Sequence, residues 1–229
     1  KKVKETSYTN YEIIVITNEN VKNVDKIVKP NENKFKTYNE IVNQIDGEYF
    51  IIFDKNLIEI DNPEYIEDLL GICQNENVGI VGTKLYNKQE KIEHNGIIIG
   101  MNGAGDFLYK GAPKNAGTYM QRLSIIHNVS CVYIKYAMID KKIFKQIDGF
   151  EENFKGIAIN IDTCLKILSK DKQVVINPLV SICVNTLEQA DKIIDEEEKL
   201  KNKWKKEYEK EDSYFSPNLS KTNTGLSIK

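Results

Sequence analysis

Apolar positions in this chain fall into short continuous runs separated by segments with helical spacing. Two such runs, 12–16 and 47–53, flank a segment, 37–46, in which apolar side chains recur every three or four residues. Continuous apolar runs of this length are typical of buried strands, and the spacing between them is typical of an amphipathic helix. The pattern predicts a strand–helix–strand unit with a right-handed crossover.

The alternation continues towards the C-terminus. It predicts strands at 78–85, 129–139, 173–177 and 180–184, a hairpin at 92–101, and helices at 62–75, 141–147 and 162–169. The segment 102–118 is rich in Gly, Ala, Asn and Lys, and it is predicted to be a mobile loop of the kind that often covers a site. Strands and helices that alternate in this way favour an α/β domain.

The domain organisation follows from where this pattern ends. We expect one domain over 1–186, followed by a charged helix over 187–210 and an extended tail, so that 187–229 forms a C-terminal appendage. The helix has a loose apolar stripe that is too short and irregular for a coiled coil. It is predicted to pack on the domain.

Charge narrows the classes of partner. The chain has 229 residues, with 32 basic and 34 acidic side chains that are mostly interleaved and a net charge of −2. Such a surface argues against nucleic acid or anionic membrane as a partner. No apolar run approaches the roughly 20 residues that span a bilayer, so we expect a cytoplasmic protein without a membrane span.

Cysteine and histidine offer little chemistry. None of the four cysteines stands in a C-x-x-C pair, and only two histidines, His94 and His127, accompany them. A zinc cluster is therefore not expected, and the cysteines are predicted to be reduced and buried. Both histidines are interpreted as structural.

The strongest candidate site lies where the run at 47–53 meets Asp54 and Asn56. Open α/β sheets bind ligands beyond the carboxyl ends of their strands, and oxygen donors there suit Mg²⁺ or Mn²⁺. We predict Asp54 and Asn56 as metal ligands, although Asn56 is uncharged. The alternative is that Asp54 only caps a turn at the strand end.

Several segments, taken in order, are similar to motifs of the family 2 glycosyltransferases. The segments are Tyr8 to Asn20, Gly47 to Asn56, Gly79 to Gly100, His127 to Ser130, Ile147 to Phe154, Ile161 to Lys166 and Ser216 to Ser220. These enzymes have the GT-A fold and move a sugar, with inversion, from a nucleotide sugar to an acceptor. The resemblance implies a mixed, mostly parallel sheet with helices on both faces.

The resemblance also implies a donor site. Thr17, Asn18 and Asn39 match positions near the nucleotide, and Asp54 matches a contact to the diphosphate or to its Mn²⁺ or Mg²⁺ ion. The implied ligands are a nucleotide-diphosphate sugar and a glycan or glycoprotein acceptor. Another transferase domain of the same polypeptide is a further implied partner.

The general base of the family falls on Asn160, and Asp162 is the nearest carboxylate that could replace it. Because asparagine cannot accept the acceptor's proton at neutral pH, the catalytic role is assigned to Asn160 and Asp162 together. The alternative interpretation is that Asp162 lies near a helix N-terminus and its carboxylate complements the helix dipole.

Departures from the family pattern cluster at polar site positions. Thr17, Asn56, Asn160 and Val184 replace three aspartates and a histidine, and the bulky Ile134–Lys135–Tyr136 replaces a small segment under the acceptor. Two functions therefore stay open: an inverting transferase, and a catalytically inert binding or scaffold module of a larger glycosylation protein.

The family's first strand and first helix have no counterpart in the chain, since Lys1 begins where that helix would end. The chain is expected to be a fragment or a domain without that unit. A strand supplied by another chain or by an upstream segment is a further possibility, because an unpaired edge is a liability.

Overall fold

A computed structural model describes residues 2–187, 194–225 and 227–228. The strands are β1 (Ile14–Ile16), β2 (Lys26–Val28), β3 (Tyr49–Ile51), β4 (Leu57–Ile60), β5 (Val78–Tyr86), β6 (Ile92–His94), β7 (Ile97–Ile99), β8 (Gly105–Phe107), β9 (His127–Asn128), β10 (Met138–Asp140) and β11 (Gln173–Val184). The helices are α1 (Lys34–Gln44), α2 (Tyr65–Cys73), α3 (Lys141–Gln146), α4 (Gly156–Leu168), α5 (Ile194–Lys203) and α6 (Lys205–Tyr208). None of the helices in the described ranges combines the length and apolar character needed to cross a bilayer.

The larger sheet is mixed, and its main path runs in the order β3–β10–β5–β11–β4. β10 is antiparallel to both β3 and β5, and β11 is parallel to β5, so β3, β5 and β11 run in one direction. β4 is antiparallel to β11. β6 pairs with β5, and β9 pairs with β11. The predicted α/β class with a mixed sheet is confirmed.

The core lies around β5, in which every residue is buried. A Cβ atom at Gly79 would come within 2.6 Å of Ile167 on α4, and one at Gly82 within 2.7 Å of Val132. Such distances are far below ordinary contact, so glycine at these two positions lets α4 and the segment after β9 pack directly on the strand. Close packing here fixes the elements that carry the candidate site.

The predicted strand–helix–strand unit is wrong in its pairing. β1 pairs in parallel with β2, a strand that the sequence reading missed, while β3 pairs with the antiparallel β10 in the larger sheet. β3 lies at the end of the sheet order and is only half-buried, although its sequence is that of a buried strand. Tertiary contacts decide which strands pair, and strands of only three residues constrain that pairing weakly.

The predicted hairpin at 92–101 and mobile loop at 102–118 are also wrong. β6 pairs with β5, and β7 pairs with β8, which lies inside the supposed loop. Leu108 and Tyr109 are buried in a second apolar cluster with Met101, Leu123 and Phe215. The loop composition concealed this cluster because its apolar residues are scattered along the chain.

Three further boundaries differ from the prediction. The run 129–139 is not one strand, because Tyr136 has a φ of +61°, which a strand cannot accommodate. The predicted strands 173–177 and 180–184 are one strand, β11, with an irregular register between Asn177 and Ser181. The helix predicted at 162–169 begins at Gly156, and its residues from Ala158 to Leu165 are all buried, so they show no amphipathic spacing.

The C-terminal segment, 194–225, packs on the rest of the chain. Its predicted single helix over 187–210 is interrupted at Trp204, between α5 and α6, and residues 188–193 lie outside the described ranges. Leu200 belongs to the main apolar core, and Phe215 fills the second cluster. Burial of these side chains stabilises the docked segment by about 1.5–3 kcal/mol each.

Candidate functional site

The site around Asp54 is built by two neighbouring segments. Asp54 follows β3, and the residue two before it, Ile52, is bridged to Lys135. The Lys135 ammonium lies 2.5 Å from Oδ2 of Asp54, while the Tyr136 hydroxyl and the backbone N–H of Asn56 donate to Oδ1. Both carboxylate oxygens therefore have partners from the protein itself.

These contacts keep Asp54 and Lys135 charged. Burial alone would raise the pKa of Asp54, but the hydrogen bonds from Lys135 and Tyr136, with the Lys135 charge, lower it overall. Burial would lower the pKa of Lys135, but the neighbouring Tyr133 and Asp54 raise it overall. The pair is ionised at neutral pH.

Asn56 takes part through its backbone. Its N–H donates to Asp54 Oδ1 at 2.9 Å, and its carbonyl accepts the N–H of Asn185 at 2.8 Å. This is an Asx turn that connects β3 to β4. The turn-capping alternative that the sequence left open for Asp54 is thus part of the structure.

A divalent cation does not fit these residues. It would have to replace an ammonium already 2.5 Å from the carboxylate, and the described ranges contain no group of three His, Cys, Asp or Glu side chains that could hold a metal. Two like unit charges 4 Å apart repel by about 4 kcal/mol at an effective dielectric constant near 20, and a divalent ion doubles that. The Lys135 ammonium lies where a metal ion at Asp54 would have to bind.

Asn160 is buried on α4 and holds the segment that carries Lys135. Its Oδ1 accepts the backbone N–H of Ile134 at 2.8 Å, and its Nδ2 donates to the carbonyl of Gly156 at 2.7 Å. The structure therefore brings Asn160 and Asp54 to opposite ends of the same short segment, 134–136. The Asn160 amide is used for positioning.

Asp162 is completely buried beneath the C-terminal segment. Its Oδ1 accepts the indole N–H of Trp204 at 2.8 Å and lies 2.7 Å from the Lys203 ammonium, and Lys166 lies 3.4 Å from Oδ2. A general base must reach the proton that it removes. In this conformation Asp162 reaches α5 and its own helix instead of a substrate.

Two of the residues predicted near the nucleotide, Thr17 and Asn39, make hydrogen bonds within the protein. The backbone N–H of Thr17 donates to Val28, its hydroxyl accepts the N–H of Glu19, and Asn18 beside it is exposed. The Asn39 amide makes two hydrogen bonds, of 3.0 and 2.9 Å, with the backbone of Phe150. These bonds join β1 to β2 and α1 to the loop after α3.

The sequence reading missed the side chains that surround Asp54. Lys135 is the one charged residue in the apolar run 129–139, and this isolation was the available signal. Its ammonium also lies 5.8 Å from the centre of the Tyr133 ring, which stacks near Tyr136. An isolated lysine in a buried run requires a carboxylate or π partner, and here it has both.

Lys34 also responds to the charges of this pair. Lys34 is the first residue of α1, and Lys155 is the N-cap of α4. Burial lowers the pKa of Lys34, the Lys135 and Lys155 charges lower it further, and Asp54 opposes them.

Two cavities, of about 290 and 390 Å³, lie against the C-terminal segment. Trp204, Tyr208 and Asp212 line the first, and Tyr119, Arg122 and Pro217 line the second. Neither cavity is lined by Asp54, Asn56 or Asn160.

Two curated proteins are similar to this chain in sequence. The chain is 28% identical, over 245 aligned positions, to the uncharacterized protein y4gI of Sinorhizobium fredii, which covers 94% of the chain and 26% of y4gI. It is 24% identical to the O-antigen biosynthesis protein RfbC of Myxococcus xanthus, over 75% of the chain and 14% of RfbC. No protein-family model matches the chain.

The structure is similar to a crystal structure of GalNAc-T7 with UDP, GalNAc and Mn²⁺. The TM-score is 0.57 at 15% identity, over 80% of this chain and 37% of GalNAc-T7. The chain therefore has a glycosyltransferase-like fold of the GT-A type. It spans about a quarter or less of the length of the two curated relatives.

Proposed function

We propose that this chain is a glycosyltransferase-like module of a larger glycosylation protein, and that it binds a ligand or partner without transferring sugar. The observation that carries the proposal is the closed environment of Asp54, whose two oxygens are held by Lys135, Tyr136 and Asn56. A metal-dependent transfer needs that carboxylate free to hold the cation that neutralises the departing diphosphate.

The missing base supports the same conclusion. A positioned base contributes about 10²–10⁴-fold to rate, and neither Asn160 nor Asp162 is arranged to act as one. Asn160 cannot take up a proton at neutral pH, and Asp162 is buried under Trp204 and Lys203. A site that lacks a base and also lacks a cation would turn over too slowly to serve as a transferase.

The lengths of the two curated relatives favour a role for this chain as one part of a longer polypeptide. The aligned part covers 26% of y4gI and 14% of RfbC, and RfbC is named for O-antigen biosynthesis. We propose that the module holds a glycan acceptor or another transferase domain of the same polypeptide. The bulky Ile134 and Tyr136, which are both buried, fill the place proposed for an acceptor in an active enzyme.

The test is turnover of a panel of nucleotide sugars, with Mn²⁺ and with Mg²⁺. We expect hydrolysis and transfer at the background rate, equal to that of Asp54→Ala. Turnover by the unmodified chain that disappears in Asp54→Ala would overturn the proposal. Asp106→Ala, at an acidic residue on β8, serves as the matched control and should behave like the unmodified chain.

A second candidate function is an inverting transferase that takes its sugar from a nucleotide sugar. It is favoured by the retention of Asp54 at the end of β3 and by UDP and Mn²⁺ in the GalNAc-T7 structure. In this candidate, Asp54 and Asn56 would hold Mn²⁺ or Mg²⁺, Thr17, Asn18 and Asn39 would face the nucleotide, and Asp162 would serve as base. For this, Lys135 would have to leave Asp54, and the C-terminal segment would have to uncover Asp162. Sugar transfer that depends on Asp54 distinguishes this candidate from the first.

A further inference from the structure

The two cavities against the C-terminal segment adjoin each other. Their volumes are about 290 and 390 Å³, and Ser213 and Tyr214 line both of them. The first cavity reaches Leu168 at the end of α4, and the second reaches the turn that carries Tyr119. Small-molecule sites usually have about 300–1,000 Å³, so two such volumes side by side suit an elongated ligand. We refer to the two cavities together as the C-terminal groove.

The C-terminal groove is separate from the site at Asp54. Neither cavity is lined by Asp54, by Asn160 or by residues 134–136, the segment proposed to fill the place of an acceptor. Leu168 lies eight residues after Asn160 on α4, which is about 12 Å along the helix axis. The groove therefore offers a surface that the site at Asp54 does not use.

Aromatic rings lie along the whole groove. Trp204 and Tyr208 line the first cavity, Tyr119 lines the second, and Tyr214 lines both. The indole N–H of Trp204 is bonded to Asp162, which fixes the orientation of its ring. One face of a pyranose ring carries mostly C–H groups, and such a face packs well on an aromatic ring. Aromatic rings spaced along a groove therefore suit successive sugar units.

The charged side chains beside these rings balance one another. Three carboxylates and three cationic groups line the two cavities: Glu207, Glu211, Asp212, Lys210, Lys221 and Arg122. A nucleotide or another polyanion is attracted by an excess of positive charge, which the groove does not have. Sugar hydroxyl groups both donate and accept hydrogen bonds, so they use carboxylates and cations alike. The balance favours an uncharged ligand that is rich in hydroxyl groups.

The backbone between the two cavities is held in place by the protein itself. Asp212 is buried, and its carboxylate accepts the Ser130 hydroxyl at 2.6 Å and the N–H groups of Ile99 and Tyr214 at 3.0 and 2.9 Å. Arg122 donates to the carbonyl of Tyr214 at 2.8 Å. Tyr214 is thus positioned before a ligand arrives, and such preorganisation lowers the cost of binding.

The turn that carries Tyr119 is strained and exposed. Met120 and Gln121 have φ angles of +52° and +53°, which cost non-glycine residues free energy. The side chains of Tyr119 and Met120 are 57% and 67% exposed. Backbone strain of this kind is concentrated at ligand-binding sites. Here it places an exposed aromatic ring at the wall of the second cavity.

We infer that the C-terminal groove binds an uncharged oligosaccharide, whose sugar rings pack on Trp204, Tyr214 and Tyr119. This deepens the proposed function, on which it rests, by naming a glycan as the ligand and the groove as its place. The binding requires no metal ion and no nucleotide, and Asp54 takes no part in it.

Trp204 reports the binding directly, because it is the only tryptophan of the chain. The probes are neutral hexasaccharides of glucose, galactose, mannose, rhamnose or N-acetylglucosamine, titrated in EDTA by calorimetry and by tryptophan fluorescence. We expect at least one probe to bind and to shift the Trp204 emission, with an affinity that changes little with salt concentration. Failure of every probe to bind would overturn the inference, and so would binding that leaves the emission unchanged.

Variants of Tyr214 test whether its ring holds the ligand. Tyr214→Ala should weaken binding of the hexasaccharide about tenfold, whereas Tyr214→Phe keeps the ring and should keep most of the affinity. Tyr11→Ala is the matched control, because Tyr11 is 39% exposed and lines neither cavity, and it should leave the affinity unchanged. Equal affinities in Tyr214→Ala and the unmodified chain would contradict the inference.

Tyr119→Ala distinguishes a groove of two cavities from a single pocket. A disaccharide that shifts the Trp204 emission occupies the first cavity, whereas a hexasaccharide of the same sugar reaches both cavities. We expect Tyr119→Ala to weaken hexasaccharide binding about tenfold and to leave disaccharide binding unchanged. Unchanged hexasaccharide binding in this variant would show that the second cavity takes no part.

The outcomes separate the inference from the proposed function. If no probe binds, the groove is left to a protein partner, and the absence of sugar transfer still stands. Sugar transfer that depends on Asp54 overturns the proposed function even where an oligosaccharide binds in the groove.

Discussion

At the scale of single residues, Lys135 decides what Asp54 can do. A carboxylate at a strand end is a common metal ligand, but an ammonium 2.5 Å away makes it one half of an ion pair. The pair lies in a half-buried setting, with side chains 18% and 13% exposed, where removal of one partner leaves an uncompensated charge. The chemistry of the site thus depends on a residue 81 positions away in sequence.

His94 is another residue whose state is set by its neighbours. Its ring is fully buried, Nε2 accepts the N–H groups of Gly96 and Tyr133, and Nδ1 lies 3.1 Å from the carbonyl of Thr83. An Nε2 that accepts two hydrogen bonds must be unprotonated, so Nδ1 carries the proton and the ring is neutral. Burial lowers the pKa of His94 to about 4, and the Thr83 carbonyl opposes this only in part.

We predict that His94 makes the protein acid-sensitive. Because its folded pKa of about 4 lies below the value of 6.5 of the free side chain, the unfolded state binds more protons between these values. Stability should therefore fall by about 2–3 kcal/mol as the pH drops from 7 to 4.5. Urea unfolding at the two pH values measures this loss of stability. His94→Gln should be less stable at pH 7 but lose less on acidification, and an unchanged pH slope would contradict the prediction.

At the scale of elements, α1 and the loop after α3 are joined by one amide. The Asn39 side chain pairs with the backbone of Phe150, and the rings of Phe35 and Tyr38 meet that of Phe150 at 5.8 and 6.3 Å. Gly149 lies directly beneath the amide with a φ of +70°. The helix is positioned by this contact as much as by its own apolar face.

We predict that Gly149→Ala destabilises the protein by about 2–4 kcal/mol, because the added Cβ is strained at positive φ and would lie 2.6 Å from Asn39 Oδ1. Gly71→Ala, within α2, is the matched control. A Cβ there has nothing within 4 Å, so we expect a gain of about 0.5–1 kcal/mol. Chemical unfolding of both variants measures the effects, and equal stabilities would refute the close approach at Gly149.

Prediction from sequence succeeded where an element's own pattern determines it. α1, α2, α3 and β5 lie close to their predicted positions because helical spacing or continuous apolarity marks each one. It failed for β2, β8 and the start of α4, whose limits depend on neighbours. Lys26 and Ile27 of β2, for instance, are exposed and become strand only through pairing with β1.

At the scale of the whole molecule, the C-terminal segment completes the core. Leu200 is buried in it, Trp204 donates to Asp162, and the Tyr208 hydroxyl donates to the carbonyl of Ala104 at 2.8 Å. The backbone N–H of Lys155, at the start of α4, donates to Glu196 on α5. Residues far apart in sequence therefore seal the carboxylate that the sequence suggested as a base.

We predict that Trp204→Phe lowers the free energy of unfolding by about 1–3 kcal/mol, because the buried Asp162 carboxylate loses a hydrogen bond. Chemical unfolding followed by far-UV circular dichroism measures this, since the chain has only this tryptophan and the variant has no indole signal. Tyr119→Phe, at a ring that is 57% exposed, is the control and should change stability by less than about 0.5 kcal/mol. A neutral Trp204→Phe would show that the indole does not secure the segment.

The sequence by itself determined the α/β class, the strand that precedes Asp54 and the buried state of the four cysteines. Hydrophobic periodicity carries that information locally, within a dozen residues. Only the tertiary structure decided that Lys135 and Tyr136 hold Asp54, that Asn160 holds Ile134, and that Trp204 covers Asp162. These contacts join residues 26 to 82 positions apart, and whether a carboxylate binds a metal, a proton or a lysine depends on the groups that folding places within a few ångströms of it.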